Sequence, residues 1–128
     1  MNLLLDTNIL IWFSLTPDRL SAQVTQIIAD RNNNLFISVA SVWEIQIKLQ
    51  LQKLTLNLPL STLIEDLQES SDIQILDITL NHIYALENLP NEHRDPFDRI
   101  MIAQVIVEEM PFLSADKVFD LYPIERVW

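Results

Sequence analysis

The chain opens with a short apolar run, residues 2–5, which stops at Asp6. A run of that length bounded by a polar residue is the pattern of a buried strand. Residues 8–15 predict a short helix, stopped by Thr16-Pro17 because proline cannot continue a helix. Ser21 is placed to cap a second helix running to about residue 30. Arg31-Asn32-Asn33-Asn34 then reads as a turn, with asparagine in the role glycine usually takes. Residues 35–37 predict the second strand. The segment 43–51, WEIQIKLQL, alternates strictly between apolar and polar residues, which by periodicity alone is a strand. Its Glu, Gln, Lys and Leu are good helix formers, Ser41-x-x-Glu44 is a capping-box pattern, and Val42, Ile45 and Leu49 have helical spacing; these favour a helix. Pro59 leads into a helix over 60–70, residues 73–76 predict a strand, and Thr79 starts a helix ending near residue 87. A polar loop carries Pro90 to Arg94. Asp95-Pro96-Phe97-Asp98 combines a cap, a proline at the first helical position and an acid in the first turn. The helix that follows is apolar on several sides (Phe97, Ile100, Met101, Ile102, Val105, Ile106), so it should be well buried. Residues 111–113 predict a strand and 124–127 a last short one.

Strands alternating with helices imply an α/β fold, a central parallel sheet with helices on both faces and right-handed crossovers. A length of 128 residues fits one domain. With 49% hydrophobic residues and no cysteine, the chain can bury a core without staples and offers no thiolate metal site. Glycine is absent altogether. That excludes a P-loop, a GxGxxG dinucleotide turn and a GxSxG nucleophile elbow. The two histidines, His82 and His93, form no HExxH pair. The apolar start lacks a basic leader and is interrupted by Asp6, and no stretch is long and apolar enough to span a bilayer, so a cytoplasmic protein without membrane contact is expected. The net charge of −10 argues against broad electrostatic capture of nucleic acid. It leaves room for a small groove built from the eight Lys and Arg residues, and an acidic body suits a basic protein partner.

Candidate chemistry lies in four acids far apart in sequence: Asp6, Glu44, Asp98 and Asp116. Sites in open parallel sheets form beyond the carboxyl ends of the strands. Asp6 directly follows the first strand, and Asp116 closely follows 111–113. Glu44 falls in the first turn of the helix after the second strand. Asp98 begins a helix that runs back to feed the 111–113 strand. Topology therefore brings all four to one rim. Two carboxylates about 4 Å apart repel by roughly 4 kcal/mol at an effective dielectric near 20. Such a cluster must take up protons or bind a cation. All-oxygen ligation points to Mg²⁺ or Mn²⁺, and thus to metal-assisted phosphodiester hydrolysis.

Each acid also has an ordinary reading. Asp6 ends a strand and caps a helix, Glu44 closes a capping box with Ser41, Asp98 favours the helix dipole, and Asp116 is a turn residue. Asp95 reads as a cap and nothing more. Lys48, four residues after Glu44, forms a surface ion pair by default, and Arg99 is placed to hold a neighbouring acid. Phe97, Trp12 and Trp43 read as core. Singly the ordinary readings win; joint placement at one rim favours a site.

With those residues laid out, the chain resembles the PIN-domain ribonucleases, and most of all the VapC-type toxins of bacterial toxin–antitoxin pairs. The matching stretches are LLLDTNILIW at 3–12, ISVASVWEIQIK at 37–48, HRDPFDRIMIAQ at 93–104 and LSADKVFDLY at 113–122. The resemblance implies a three-layer α/β/α fold, a helix for WEIQIKLQL, and Mg²⁺- or Mn²⁺-dependent cleavage of RNA. Asp6, Glu44 and Asp98 match the acidic site, Asp116 its more variable fourth acid, and Thr7, Asn8 and Ser114 polar positions beside it. It further implies a homodimer silenced by a small antitoxin. One departure is Gln52-Lys53-Leu54, where relatives often carry Gly-Lys-Leu; it puts the local turn geometry in question. Two rivals are a catalytically silent PIN scaffold that binds a partner protein and an aspartyl-phosphate phosphotransferase on Asp6. The second lacks the usual DxD, because Asn8 holds the second acid's place.

Overall fold

The computed structural model describes residues 1–91 and 95–128; the expected loop over 90–94, His93 and the first two residues of the HRDPFDR stretch fall wholly or partly outside them. Five strands, β1 (Asn2–Leu5), β2 (Asn34–Ser38), β3 (Gln74–Leu76), β4 (Phe112–Leu113) and β5 (Arg126–Val127), pair in parallel in the order β3-β2-β1-β4-β5. The helices are α1 (Thr7–Leu15), α2 (Ala22–Ala29), α3 (Val39–Gln50), α4 (Leu60–Ser71), α5 (Leu80–Ala85) and α6 (Pro96–Glu108). Single 3-10 turns at Pro17–Arg19, Leu86–Asn88 and Lys117–Leu121 complete the connections. None of the described helices is long and apolar enough to cross a membrane.

The pleat sorts the core into two halves. Leu4 points to one face, where it meets Phe112, Met101, Ala103 and Phe119; Leu3 and Leu5 point to the other, with Ile9, Leu10, Val24, Ile37 and Leu113. The register agrees, since Leu4 lies opposite Phe112 and Leu5 opposite Leu113. Helices α1, α2 and α4 therefore cover one face and α5 and α6 the other, while α3 contributes Ala40 to one half and Ile45 to the other. This is a three-layer α/β/α sandwich. Each buried Leu or Ile contributes about 1.5–3 kcal/mol, so both halves hold β1 firmly.

Two sequence expectations need correction. Helix α3 starts at Val39, five residues before Glu44, and its cap is Ser38, whose hydroxyl accepts from the Ala40 amide at 3.0 Å. Ser41 is thus not a cap, and Glu44 stands in the second turn rather than the first. The Ser-x-x-Glu pattern was matched by a helix face instead of a helix end. Trp43, expected in the core, is 61% exposed, because the alternating WEIQIKLQL pattern leaves α3 apolar on more than one side.

The missing glycines leave a mark at helix ends. Gln52 and Glu109 take left-handed φ values of 58° and 54°. At α3 the Lys53 amide bonds the Lys48 carbonyl at 2.9 Å and the Gln52 amide that of Leu49 at 3.1 Å. That pairing is a Schellman motif, which ordinarily recruits glycine. The turn the family resemblance put in question therefore keeps the left-handed geometry, with glutamine in glycine's place.

Candidate active site

Strand β1 lies at the centre of the sheet: the chain steps from it outward to β2 and β3 on one side, then crosses back to β4 and β5 on the other. Such a switch point opens a crevice at the strands' carboxyl ends, and Asp6 is the first residue beyond β1. Its amide still extends the ladder, donating to the Leu113 carbonyl at 2.9 Å. Its side chain caps α1: Oδ1 accepts from the Thr7 amide at 2.7 Å, while Oδ2 accepts from the Ser114 hydroxyl at 2.8 Å. Asp6 is only 5% exposed. Burial raises its pKa from 3.8 to about 7; the Ser114 bond and the Thr7 amide oppose the rise, and the charges of Asp98 and Glu44 add to it. Three of the four expected acids thus share one electrostatic neighbourhood.

Thr7 ties that neighbourhood together. Its hydroxyl donates to Glu44 Oε1 at 2.9 Å and lies 2.8 Å from the Ser41 hydroxyl. Thr7 has one hydroxyl proton; given to Glu44, it leaves the Ser41 hydroxyl to be shared between Thr7 and Met101 Sδ, 3.3 Å away. The other Glu44 oxygen meets Lys48 Nζ at 3.3 Å, the expected i,i+4 pair. Glu44 is therefore oriented from two sides, not spent on a capping box. Ser41, fully buried, joins this hydrogen-bonded cluster, although its sequence setting marks it only as a cap. The available signal was its spacing of three from Glu44, which puts both on one helix face.

Asp98 occupies the first turn of α6. Asp95 caps that helix, accepting from the Phe97 amide at 2.9 Å and the Asp98 amide at 3.2 Å, as the Asp-Pro-Phe-Asp pattern predicts. Asp98 is half-buried and reaches Asp6 through its charge. Asp116 is set apart. It is exposed, its Oδ1 caps the 3-10 turn Lys117–Leu121 through the Val118 amide at 3.0 Å, and its charge is felt by Arg126. Its link to the other acids runs through Ser114, whose hydroxyl oxygen receives the Asp116 amide at 3.1 Å. Ser114 is in turn held by Arg126, whose guanidinium reaches the Ser114 carbonyl at 3.1 Å while pairing with both oxygens of Asp120. Asn8 is exposed at the second position of α1.

A family profile for the PIN domain matches residues 3–125. The chain belongs to the PIN-domain family. No curated protein matches it by sequence. This PIN domain is similar in structure to a chain of the VapBC2 complex from Rickettsia felis bound to a promoter DNA fragment, with a TM-score of 0.76 at 18% identity, over 99% of this chain and 98% of that one. It is also similar to a chain of DNA-bound VapBC from Salmonella typhimurium, with a TM-score of 0.71 at 12% identity, over 99% and 97%. A toxin–antitoxin complex from Klebsiella pneumoniae gives 0.63 at 20% identity, over 98% and 95%. At these identities the likeness establishes the shared fold.

Among the described residues, no three His, Cys, Asp or Glu side chains are drawn up as a ready-made metal cage. The donor set of this PIN domain nevertheless fits a hard divalent cation. The three acids and the hydroxyls of Thr7 and Ser114 offer oxygen donors, and the pKa of the carboxyl group at the centre is raised partly by two neighbouring negative charges. A cation placed among them would offset both the desolvation cost and the repulsion that favour the protonated form of Asp6.

Proposed function

We propose that this PIN domain is a Mg²⁺- or Mn²⁺-dependent endoribonuclease, the toxin of a toxin–antitoxin pair, acting in the cytoplasm as a homodimer silenced by a cognate antitoxin. The observation that carries the reading is the Asp6 carboxyl: buried at the sheet's switch point, in the field of Asp98 and Glu44. Asp6 and Asp98 would be the main ligands, Glu44 would complete the set or orient the attacking water, and Asp116 would assist directly or through water. A bound divalent cation supplies there a Lewis acid that acidifies water and offsets charge on the scissile phosphate. The chain's own contribution is orientation. Ser114 and the Thr7 amide fix the two Asp6 oxygens, and Thr7 with Lys48 fixes Glu44. A toxin–antitoxin role draws support from the fold shared with chains of such complexes and from an acidic body of net charge −10 suited to a basic partner.

The test is cleavage of RNA in Mn²⁺ by the wild type, Asp6→Asn and Asp98→Asn. Both variants should keep the wild-type circular dichroism spectrum and lose cleavage. Loss of folding, or activity persisting in excess EDTA, would reject the mechanism. Failure to bind Mn²⁺ at millimolar concentration would favour the silent scaffold. Growth arrest that depends on Asp6 and is relieved by the product of the neighbouring reading frame would support the toxin role.

A further inference from the structure

Lys48 stands in the last turn of α3, four residues after Glu44, with its ammonium 3.3 Å from Glu44 Oε2. Such a pair on a helix surface is ordinary and weak, and a lysine there suits the helix dipole. This pair differs in what its acid is. Glu44 is one of the two charges that act on Asp6, and its other oxygen is already held by the Thr7 hydroxyl at 2.9 Å. Oε2 is therefore the oxygen left for a cation, and Lys48 is the group that meets it. The Lys48 side chain keeps 34% of its surface in solvent against 18% for Glu44, so the lysine stands on the open side of the pair, facing the medium from which a substrate comes. Its four-carbon stem is flexible, and its ammonium is a compact charge with three donors, the form in which lysine binds phosphate. Composition adds a reason. A body of net charge −10 repels a polyanion, so a cation at the cleavage centre counts for more than one elsewhere.

We propose that Lys48 is a further catalytic residue: its ammonium is the counter-ion of Glu44 in the metal-free protein, and contacts a non-bridging oxygen of the scissile phosphate once a divalent cation takes Glu44. The inference rests on the nuclease reading above. The ion and the ammonium compete for one carboxylate oxygen and repel each other across it. An ammonium released from Glu44 needs a new anion, and a phosphate drawn to the same ion supplies one. Lys48 then offsets the charge that builds on the phosphate as the attacking oxygen joins it. No bond to Lys48 forms or breaks.

The experiment has two arms, run on wild type, Lys48→Met, Lys48→Arg and Lys53→Met. One is calorimetric titration of the RNA-free proteins with Mn²⁺. The other is kcat/KM at saturating Mn²⁺ on a fluorescein-labelled oligoribonucleotide of mixed sequence, over about a tenfold range of KCl. Lys53, in the exposed turn that follows α3, provides the same loss of charge outside the pair. Lys48→Met should bind Mn²⁺ as tightly as wild type or more tightly, because a tethered competitor is gone. Its kcat/KM should fall roughly 10- to 150-fold, the usual worth of a hydrogen bond to a charged group. The salt dependence should flatten by about 0.7 in log–log slope, the share of one phosphate contact on a single strand, so the tenfold KCl range should cost the variant about 5-fold less than wild type. Lys48→Arg keeps the charge and should keep the wild-type slope; Lys53→Met should match wild type in both arms. Unchanged kcat/KM in Lys48→Met, or a flattened slope in Lys48→Arg, would overturn the assignment. So would a fall in kcat/KM with an unaltered slope or with weaker Mn²⁺ binding, which makes Lys48 a positioning residue for Glu44. Equal flattening in Lys53→Met would overturn it too, as an effect of general surface charge. Should Lys48→Met not fold, Lys48→Gln takes its place with the same expectations. If the wild type cleaves and Lys48→Met matches it, only the assignment falls. If the wild type takes up Mn²⁺ but cleaves no RNA, the nuclease reading falls and the assignment with it.

Discussion

Asp6 joins a structural task to a chemical one. As a cap it needs only an oxygen for the Thr7 amide, which asparagine would supply equally well. What asparagine cannot supply is a charge, and in the metal-free protein that charge is unwelcome. With a pKa raised from 3.8 to about 7 mainly by burial, the folded state holds the Asp6 proton more tightly than the unfolded chain. The sign follows: between those values the folded protein binds more protons, so stability from this group is fully present below pH about 3.8, declines as pH rises, and is gone above about 7. The span of the shift corresponds to roughly 4 kcal/mol. Urea unfolding of metal-free wild type and Asp6→Asn at pH 4.5 and 7.5 should therefore show the variant gaining on the wild type by a few kcal/mol at the higher pH. Parallel pH dependences would remove the buried-acid argument. A second residue-scale prediction concerns Thr7. Thr7→Val keeps shape but takes the proton from Glu44 and leaves buried Ser41 with only the weak Met101 sulfur as acceptor. It should cost about 1–3 kcal/mol, and Thr7→Ser should restore most of it in the same urea series.

At the scale of elements, legibility followed how local the cause was. The strand ending at Asp6 and the helix opened by Asp95-Pro96 are written in a few adjacent residues, and both stand where the sequence put them. Helix α3 is different. Its start is set by Ser38, at the end of a strand whose length depends on pairing with β1 and β3, and Ser41 looked like the better cap because its true partner, Thr7, is 34 residues away. The 3-10 turn at Lys117–Leu121, capped by Asp116, carries too little periodicity to be seen. The approach of Glu44 and Asp98 to Asp6 was legible because topology sends all three to one rim; Asp116 stands as the turn residue that its setting also suggested, capping its own 3-10 turn. The end of α3 gives a further prediction. Gln52 sits in the left-handed region at φ 58°, where a side chain costs about 1–2 kcal/mol, and glycine would relieve this while adding freedom to the unfolded chain. Gln52→Gly should thus raise stability modestly, by about 0.5–1 kcal/mol, as a small rise in Tm with unchanged cleavage. A fall in Tm would mean that the side chain itself contributes to the turn.

For the whole molecule the decisive quantity is how folding, protons and metal compete for one site. The protein carries a net charge of −10, so any cation stabilises it to some degree by screening, and stabilisation by Mn²⁺ alone proves little. Binding at the acids has a narrower signature. A ligand taken by the folded state only adds RT ln(1 + [L]/Kd), about 2.7 kcal/mol at a hundred times Kd. Here the ion must displace the Asp6 proton, so its apparent affinity should fall as pH drops below about 7. Thermal unfolding at constant ionic strength, with Mn²⁺ balanced against KCl, should show a Tm increase at pH 7.5 that shrinks by pH 5.5. It should vanish at both pH values in Asp6→Asn and be much reduced in Asp98→Asn, while Asp95→Asn, which alters an acid that only caps α6, should respond like wild type. The same titration in unbuffered solution at pH near 7 should release protons as metal binds. An increase of equal size in all four proteins would be screening of the acidic surface, and the convergence of Asp6, Glu44 and Asp98 would then be a feature of the fold without a cation behind it.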